Sequence, residues 1–298
     1  MSHAAGVETI KTGDVEIAYE TFGDPASPPL VLVMGLATQM LGWPQGFCEG
    51  LAERGFHVVR FDNRDIGLST HLDDKPAGDL GALLQGDLSS ASYTLSDMAT
   101  DTVGLLDALG FDSVHLVGAS MGGMIAQTVA IEHPERVRTL TSIMSTTGDP
   151  TVGGPTQAAM AVLLRPPATD REAAIEGAVG AYRVIGSPGY PLDEEALREQ
   201  AGLAYDRAYD PNGVSRQLAA IYASGDRTQK LAGVKLPTLV IHGDSDALVG
   251  VTGGRATAAA IPGAELEILE GMGHNFPREL WGTIADRIAA HAGRARAD

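Results

Sequence analysis

The sequence predicts an α/β fold in which a mostly parallel central sheet is flanked by helices and carries a helical cap insertion. Three observations support this fold class. Runs of strand length alternate with stretches of helical spacing as far as residue 146, a pattern that is typical of parallel sheets. A serine flanked by glycines separates one of these strands from the helix that follows it. From residue 147 to 228 the strand pattern stops, while helical segments and proline-containing breaks continue.

The strands can be followed along the chain. Alternating apolar and polar residues on either side of Thr12-Gly13-Asp14 predict a β-hairpin at the edge of the sheet. The continuous apolar run 30–34 is typical of a strand that is buried on both faces. Further strands are predicted at residues 56–62, 114–119, 137–144, 237–243 and 264–269.

The helices and the division of the chain follow from the remaining segments. Apolar residues recur at helical spacing over 95–109, where Gly110 ends the pattern. Helices are also expected around 47–54, directly after Ser120 and over 281–291, whereas residues 71–92 show little periodicity and predict a surface loop. We therefore divide the chain into an α/β core of residues 1–146 and 229–298 and a helical cap of residues 147–228.

Composition excludes several classes of partner. The 298 residues are 44% hydrophobic, so a large core can be buried. The net charge of −17 argues against binding to nucleic acid or to an anionic membrane surface. The one cysteine, Cys48, excludes an intrachain disulfide. Residues 1–10 lack the basic and apolar regions of a signal peptide, and no apolar stretch is long enough to span a bilayer, so a cytoplasmic location is expected.

The segment Gly118-Ala119-Ser120-Met121-Gly122 is the centre of the predicted active site. A strand that turns sharply into a helix forces its central residue into a sparsely populated backbone conformation. Glycines on either side provide the space for such a turn. Ser120 is therefore predicted to stand at the end of a strand as a nucleophile, in the geometry called a nucleophile elbow.

A serine hydroxyl needs a base, and the base needs an acid that orients it. His274 follows the last predicted strand within a glycine-rich loop and is the predicted base. Asp244 and Asp246 follow the strand before it, and the order Ser, Asp, His is the order used on this kind of sheet. Asp246 lies further into its loop and is the predicted acid, whereas Asp244 is predicted to brace the turn by accepting backbone N–H groups.

A tetrahedral intermediate also needs N–H donors. The backbone N–H of Met121, at the start of the helix after Ser120, is one predicted donor, and that of Leu36, in the loop after strand 30–34, is the other. The series His242-x-Asp244-x-Asp246 places metal-ligand types on one strand face. No further Cys or His cluster completes a metal site, so neither a metal nor a cofactor is predicted.

Some residues near the predicted site have two readings. Asp62, Arg64 and Asp65 form a charged turn at the end of a strand and are expected to make structural ion pairs rather than to act in catalysis. Several aromatic residues either line a substrate pocket or pack the structure, and the sequence leaves this open. They are Trp43, Tyr182, Tyr190, Tyr205 and Tyr209.

The chain resembles the α/β-hydrolase superfamily over nearly its whole length. The segments that carry the resemblance are residues 33–36, 60–69, 117–123, 241–246 and 271–274. Gly42-Trp43-Pro44 and the turn 62–69 are similar to those of the subgroup of aclacinomycin methylesterase and related bacterial esterases. Many superfamily members have a histidine where Met34 stands, and its absence removes a side-chain hydrogen bond while leaving the backbone donors in place.

The resemblance implies a carboxylic-ester hydrolase that works through an acyl-enzyme, with Ser120, Asp246 and His274 as its catalytic residues. The substrate would be a small-molecule ester, including the methyl ester of a bulky polyketide. The same side chains also suit a cofactor-free perhydrolase or haloperoxidase, an acyltransferase or a C–C hydrolase. A receptor without catalytic activity is a further alternative, and the serine at position 120 disfavours an enzyme with an aspartate nucleophile.

Overall fold

The computed structural model describes residues 6–295, and within them eight strands form one sheet. The strands are Glu8–Thr12 (β1), Val15–Phe22 (β2), Pro29–Val33 (β3), His57–Phe61 (β4), Val114–Ala119 (β5), Val137–Ile143 (β6), Thr238–Gly243 (β7) and Glu265–Leu269 (β8). Their spatial order is β1-β2-β4-β3-β5-β6-β7-β8. The pairs β1–β2 and β2–β4 are antiparallel and all other pairs are parallel, which confirms the predicted sheet.

Helices connect the strands. They are Gln45–Glu53 (α1), Leu80–Leu84 (α2), Leu95–Ala108 (α3), Met121–Glu132 (α4), Gln157–Leu163 (α5), Arg171–Ile185 (α6), Glu194–Arg207 (α7), Pro211–Ser224 (α8), Thr228–Leu231 (α9), Val251–Ala260 (α10) and Trp281–Ala292 (α11). The prediction of a surface loop over 71–92 was wrong at α2, where the Asp79 side chain accepts the N–H of Ala82 and caps a short helix.

The central strands separate two apolar layers. Successive side chains of a strand point to opposite faces. In β3, Val31 and Val33 accordingly join the layer under α3 and α4, whereas Leu30 and Leu32 join the layer under α1 and α11. Because the central strands are buried on both faces, polar side chains gather at the strand ends. The carboxyl ends of β3 to β8 lie along one edge of the sheet.

Helices α5 to α9 all lie between β6 and β7 in the chain. Two arginines of this segment reach carboxylates that follow β4: Arg207 pairs with Asp62 at 2.9 Å and Arg216 pairs with Asp65 at 2.8 Å. Both carboxylate side chains are fully buried. The inserted helices are therefore fixed to the carboxyl edge of the sheet. Within the described residues, the helices are too short or too polar to cross a membrane.

Candidate active site

Ser120 occupies the sharp turn between β5 and α4. Its φ is +55° and its ψ is −121°, a conformation that L-residues rarely adopt. Neighbouring groups hold it there: the Ser120 N–H donates to the Ile143 carbonyl at 2.9 Å, and the Ser120 carbonyl accepts from Ser145 Oγ at 2.8 Å. The strained turn is thus fixed by the end of the adjacent strand β6 and by a residue that follows it.

The two flanking glycines are required by close backbone approach. A Cβ on Gly118 would collide with the backbone of Gly122 and Gly123, and a Cβ on Gly122 would collide with the carbonyl oxygen of Val33. Backbone atoms of this kind cannot move aside as a flexible side chain can. The spacing of the pentapeptide therefore has the steric cause that the sequence predicted.

The structure brings Ser120, His274 and Asp246 together. His274 Nε2 lies 3.0 Å from Ser120 Oγ, and His274 Nδ1 lies 2.8 Å from Asp246 Oδ2. The Asp246 side chain is fully buried and that of His274 is 9% exposed. Because the Nδ1 proton is directed at a carboxylate, Nε2 is left as the acceptor that faces the serine hydroxyl.

The two aspartates after β7 have different surroundings. Asp246 Oδ1 accepts the N–H groups of Leu248 and Val249, both at 2.9 Å, so its second oxygen is aimed at His274. Asp244 Oδ1 accepts the N–H of Gly271 at 2.8 Å and stays away from the imidazole. As predicted, Asp244 accepts a backbone N–H, but this N–H belongs to the loop after β8 and not to the turn after β7.

His242 does not join these aspartates in a metal site within the described chain. Its Nε2 donates to the Val249 carbonyl at 2.7 Å, and burial lowers the pKa of its imidazole. Another group, Asp65, His71 and Asp210, brings three ligand-type side chains within 4.8 Å. The Arg216 guanidinium contacts both of its carboxylates, at 2.8 and 3.2 Å, and so supplies the positive charge there.

Of the two predicted N–H donors, one begins α4 and the other lies on the loop after β3. Met121 is the first residue of α4, and the first N–H groups of a helix have no partner inside it. Gly35 approaches so closely that a Cβ there would lie 3.0 Å from Ser120 Cβ, which brings the Leu36 loop beside the serine. Within residues 6–295, neither the Met121 N–H nor the Leu36 N–H donates to another protein group.

The loop that carries His274 is held by the last residue of α6 and by the segment after it, which sequence reasoning did not assign to the site. The His274 N–H donates to the Ile185 carbonyl at 2.7 Å, and the Gly273 N–H donates to Ser187 Oγ at 2.8 Å. The Gly189 N–H in turn donates to the Gly271 carbonyl at 3.0 Å. In the sequence this segment is visible only as a proline- and glycine-containing break.

The sequence left open whether several aromatic residues line a pocket or pack the structure, and in the structure some pack while others line a surface cleft. Trp43 is fully buried against Phe47 and Phe276, with ring centroids 5.8 and 4.8 Å away, so it packs the core. Tyr205 and Tyr209 stack on each other at 5.0 Å. Tyr182 and Tyr190 line a cleft of about 390 Å³ between the inserted helices and the His274 loop.

The strand order and the sharp turn at Ser120 together define an α/β-hydrolase architecture. A family model for the alpha/beta hydrolase fold matches residues 28–277, and the chain belongs to this family.

The chain is similar over nearly its whole length to two bacterial methylesterases. It is 31% identical to rhodomycin D methylesterase DauP of Streptomyces sp. (strain C5) and 30% identical to rhodomycin D methylesterase DnrP of Streptomyces peucetius. Each alignment covers 95% of this chain and 96% of the relative. With this fold and these relatives, the protein is a hydrolase of the carboxylesterase type, and the predicted enzyme class is confirmed.

Solved structures support the fold. The enol-lactonase from Burkholderia xenovorans LB400 has a TM-score of 0.75 to this chain at 22% identity, over 96% of this chain and 100% of that one. At such an identity the similarity concerns the fold alone.

Proposed function

We propose that the protein hydrolyses carboxylic esters through an acyl-enzyme formed on Ser120, with His274 as the general base and acid and Asp246 as the residue that orients the imidazole. One observation carries this proposal. The two ring nitrogens of His274 lie 3.0 Å from Ser120 Oγ and 2.8 Å from Asp246 Oδ2, which is hydrogen-bond reach on both sides.

In the first half of the reaction, Ser120 Oγ attacks the ester carbonyl carbon while His274 Nε2 takes the hydroxyl proton. The buried carboxylate of Asp246 stabilises the imidazolium that forms. The carbonyl oxygen becomes an oxyanion, which the N–H groups of Leu36 and Met121 stabilise. The intermediate then collapses, and the alcohol leaves with the proton that His274 returns.

In the second half, water attacks the acyl carbon and gives its proton to His274 Nε2. The second tetrahedral intermediate collapses to release the carboxylic acid, and the proton returns to Ser120 Oγ. No group outside this chain and water is needed to balance the two steps. The mechanism therefore fits a protein that acts without a metal or cofactor.

The substrate class that we propose is a methyl ester on a bulky apolar acid such as a polyketide. The similarity to two rhodomycin D methylesterases over 95% of the chain supports it. We also infer that residues 147–228 act as a cap, because ion pairs from α7 and α8 hold the inserted helices at the edge of the sheet where Ser120 lies. The cap would then decide which acyl groups reach the serine.

The proposal is tested with a fluorophosphonate probe and a panel of esters. We expect the probe to label Ser120 in the native protein and to leave S120A unlabelled, with the site located by peptide mass spectrometry. With a bulky methyl ester we expect equal amounts of methanol and carboxylic acid. A folded protein that neither labels at Ser120 nor cleaves any ester of the panel would refute the proposal.

The same assay separates the rival activities of this fold. Added alcohol or hydrogen peroxide competes with water for the acyl-enzyme. If a new ester or a peracid becomes the main product at low acceptor concentration, the protein is an acyltransferase or a perhydrolase. Acid as the main product supports hydrolysis.

A further inference from the structure

A buried glutamine of α8 contacts the loop that carries Leu36. Gln217 has no solvent-exposed surface. Its Oε1 accepts the N–H of Ala37 at 3.2 Å, and its Nε2 donates to the Arg64 carbonyl at 2.8 Å. The side chain is therefore satisfied at both ends and links an inserted helix to two loops at the carboxyl edge of the sheet.

The Leu36 loop needs such support because Ala37 has a φ of +58°, in the left-handed region. For a residue with a Cβ, this conformation costs about 1–2 kcal/mol. The peptide between Leu36 and Ala37 is held at both ends: its carbonyl accepts from Thr38 Oγ1 at 3.0 Å, and its N–H is taken by Gln217.

The preceding part of the loop is also fixed. Asn63 Nδ2 donates to the Met34 carbonyl at 2.9 Å. The peptide that carries the Leu36 N–H therefore lies between two peptides of fixed orientation. The Ala37 N–H is bonded to Gln217. Of these two N–H groups, that of Leu36 is the one without an acceptor among residues 6–295, and it lies beside Ser120.

We propose that Gln217 is a positioning residue for the oxyanion-binding loop, acting through the Ala37 N–H to keep the Leu36 N–H directed at the developing oxyanion. This inference rests on the proposed esterase function. On this inference α8 has two roles: it covers the site, and through Gln217 it orients a donor that stabilises the transition state. A role limited to anchoring the helix would affect stability alone.

The first test compares Q217M with Q200M. Methionine keeps the size of glutamine and removes both hydrogen bonds. Gln200 is a matched control because its Nε2 donates to the Leu41 carbonyl, at 2.5 Å, from the inserted helix α7 to the far end of the same loop. We expect Q217M to lower kcat by about 10- to 100-fold, somewhat less than loss of a whole oxyanion donor. KM should change less than about threefold, and Q200M should keep kcat within about threefold.

The second readout is inhibition by a trifluoromethyl ketone, whose adduct with Ser120 places an oxyanion where the transition state has one. For Q217M we expect its Ki to rise by the same factor by which kcat/KM falls, while inhibition by the product acid stays unchanged. Rates are normalised to the amount of Ser120 that a fluorophosphonate labels. If Q217M only melts at a lower temperature and keeps kcat and Ki per labelled site, the inference is overturned.

Hydrogen exchange on the wild type provides a test that needs no variant. Ala37 is exposed, yet its N–H is held by Gln217, so we expect its exchange to be slower than that of the Leu36 N–H. Equal exchange of the two amides would contradict the inference even if Q217M does not fold. Failure of the esterase function itself is seen separately, as a wild type that neither labels nor turns over esters.

Discussion

Arg207 Nη2 lies 2.9 Å from Asp62 Oδ2, so the last turn of α7 is paired with a fully buried carboxylate that follows β4. The same carboxylate accepts the N–H of Met40 at 2.6 Å and that of Leu68 at 3.0 Å. Burial raises the pKa of Asp62, and Arg207 together with the two N–H groups opposes this rise. One carboxylate thus holds together the loop after β3, the turn after β4 and an inserted helix.

The first prediction concerns the loss of this arginine. R207M leaves the Asp62 charge buried without a counter-ion, and we expect unfolding to become about 3 kcal/mol easier at neutral pH. The matched control is R171M, because Arg171 pairs with Asp206 where both side chains are about half exposed. Exposed pairs contribute less than about 1 kcal/mol. Urea denaturation of both variants checks the difference, and equal losses would contradict it.

The pH dependence of that loss follows from the sign of the pKa shift. Without Arg207 the pKa of Asp62 rises further in the folded state than in the wild type. A carboxyl group whose folded pKa is raised costs stability above that pKa, and this cost disappears as the pH falls and the group binds a proton. We therefore expect the gap between wild type and R207M to narrow on acidification. A gap that widens at low pH would show that another group dominates.

The two aspartates after β7 provide the second prediction. D246N removes the acceptor that keeps the Nδ1 proton of His274 in place, and we expect kcat to fall by about 10⁴-fold, the size of effect seen when the orienting acid of such a set is lost. D244N alters a side chain whose contacts are the Gly271 N–H and Ser245 Oγ, away from the imidazole, and we expect less than a tenfold loss. Turnover of a p-nitrophenyl ester measures both. Similar losses in the two variants would show that Asp246 was chosen wrongly as the acid.

The sequence predicts most elements of the core because each of these elements has a local cause. Two examples are the strand β3, which its continuous apolar run predicts, and the sharp turn at Ser120, which its flanking glycines predict. In both, the signal lies within a few residues of the feature, so the apolar pattern and backbone sterics are enough to place it. The convergence of Ser120 and His274 is predictable in a different way. The carboxyl ends of parallel strands meet at one edge, whatever the length of chain between them.

Contacts between the inserted helices and the core are not predictable in this manner. Gln217 meets Ala37 across 180 positions of the chain, and Ser187 meets Gly273 across 86. Each depends on how the insertion settles on the sheet, which no local period encodes. The charged turn was correctly interpreted as structural, but its partners were not identifiable: Arg216 for Asp65 and Asp101 for Arg64 come from distant helices.

The third prediction tests the steric reason for the elbow. An alanine at Gly122 would drive its Cβ into the carbonyl oxygen of Val33, and we expect G122A to lose about 3 kcal/mol or more and most Ser120 labelling. Gly282 is the matched control, since it lies in α11 with open space around it. Alanine favours helices over glycine, so G282A should gain up to about 1 kcal/mol. Thermal melts of both variants check this, and a stable, fully labelled G122A would refute the explanation.

The last prediction concerns His71, whose two ring nitrogens both face acceptors. Nδ1 lies 2.8 Å from Asp210 Oδ2 and Nε2 lies 3.0 Å from the Gly67 carbonyl, an arrangement that both N–H groups of an imidazolium satisfy. Burial opposes the charge, but Gly67, Asp210 and Asp65 prevail and raise the pKa of His71, even with Arg216 paired to the same two carboxylates.

A histidine whose folded pKa is raised contributes stability that is complete below its ordinary pKa and is lost as the pH rises through the folded value. We therefore expect the difference in unfolding free energy between wild type and H71L to be larger at pH 6 than at pH 9. In a D210N background the pH dependence of that difference should become smaller, because Asp210 is one of the groups that raise the pKa of His71, while the Gly67 carbonyl and Asp65 remain. Denaturation series at both pH values measure it, and a difference that grows toward pH 9 would mean that His71 is neutral in the folded protein.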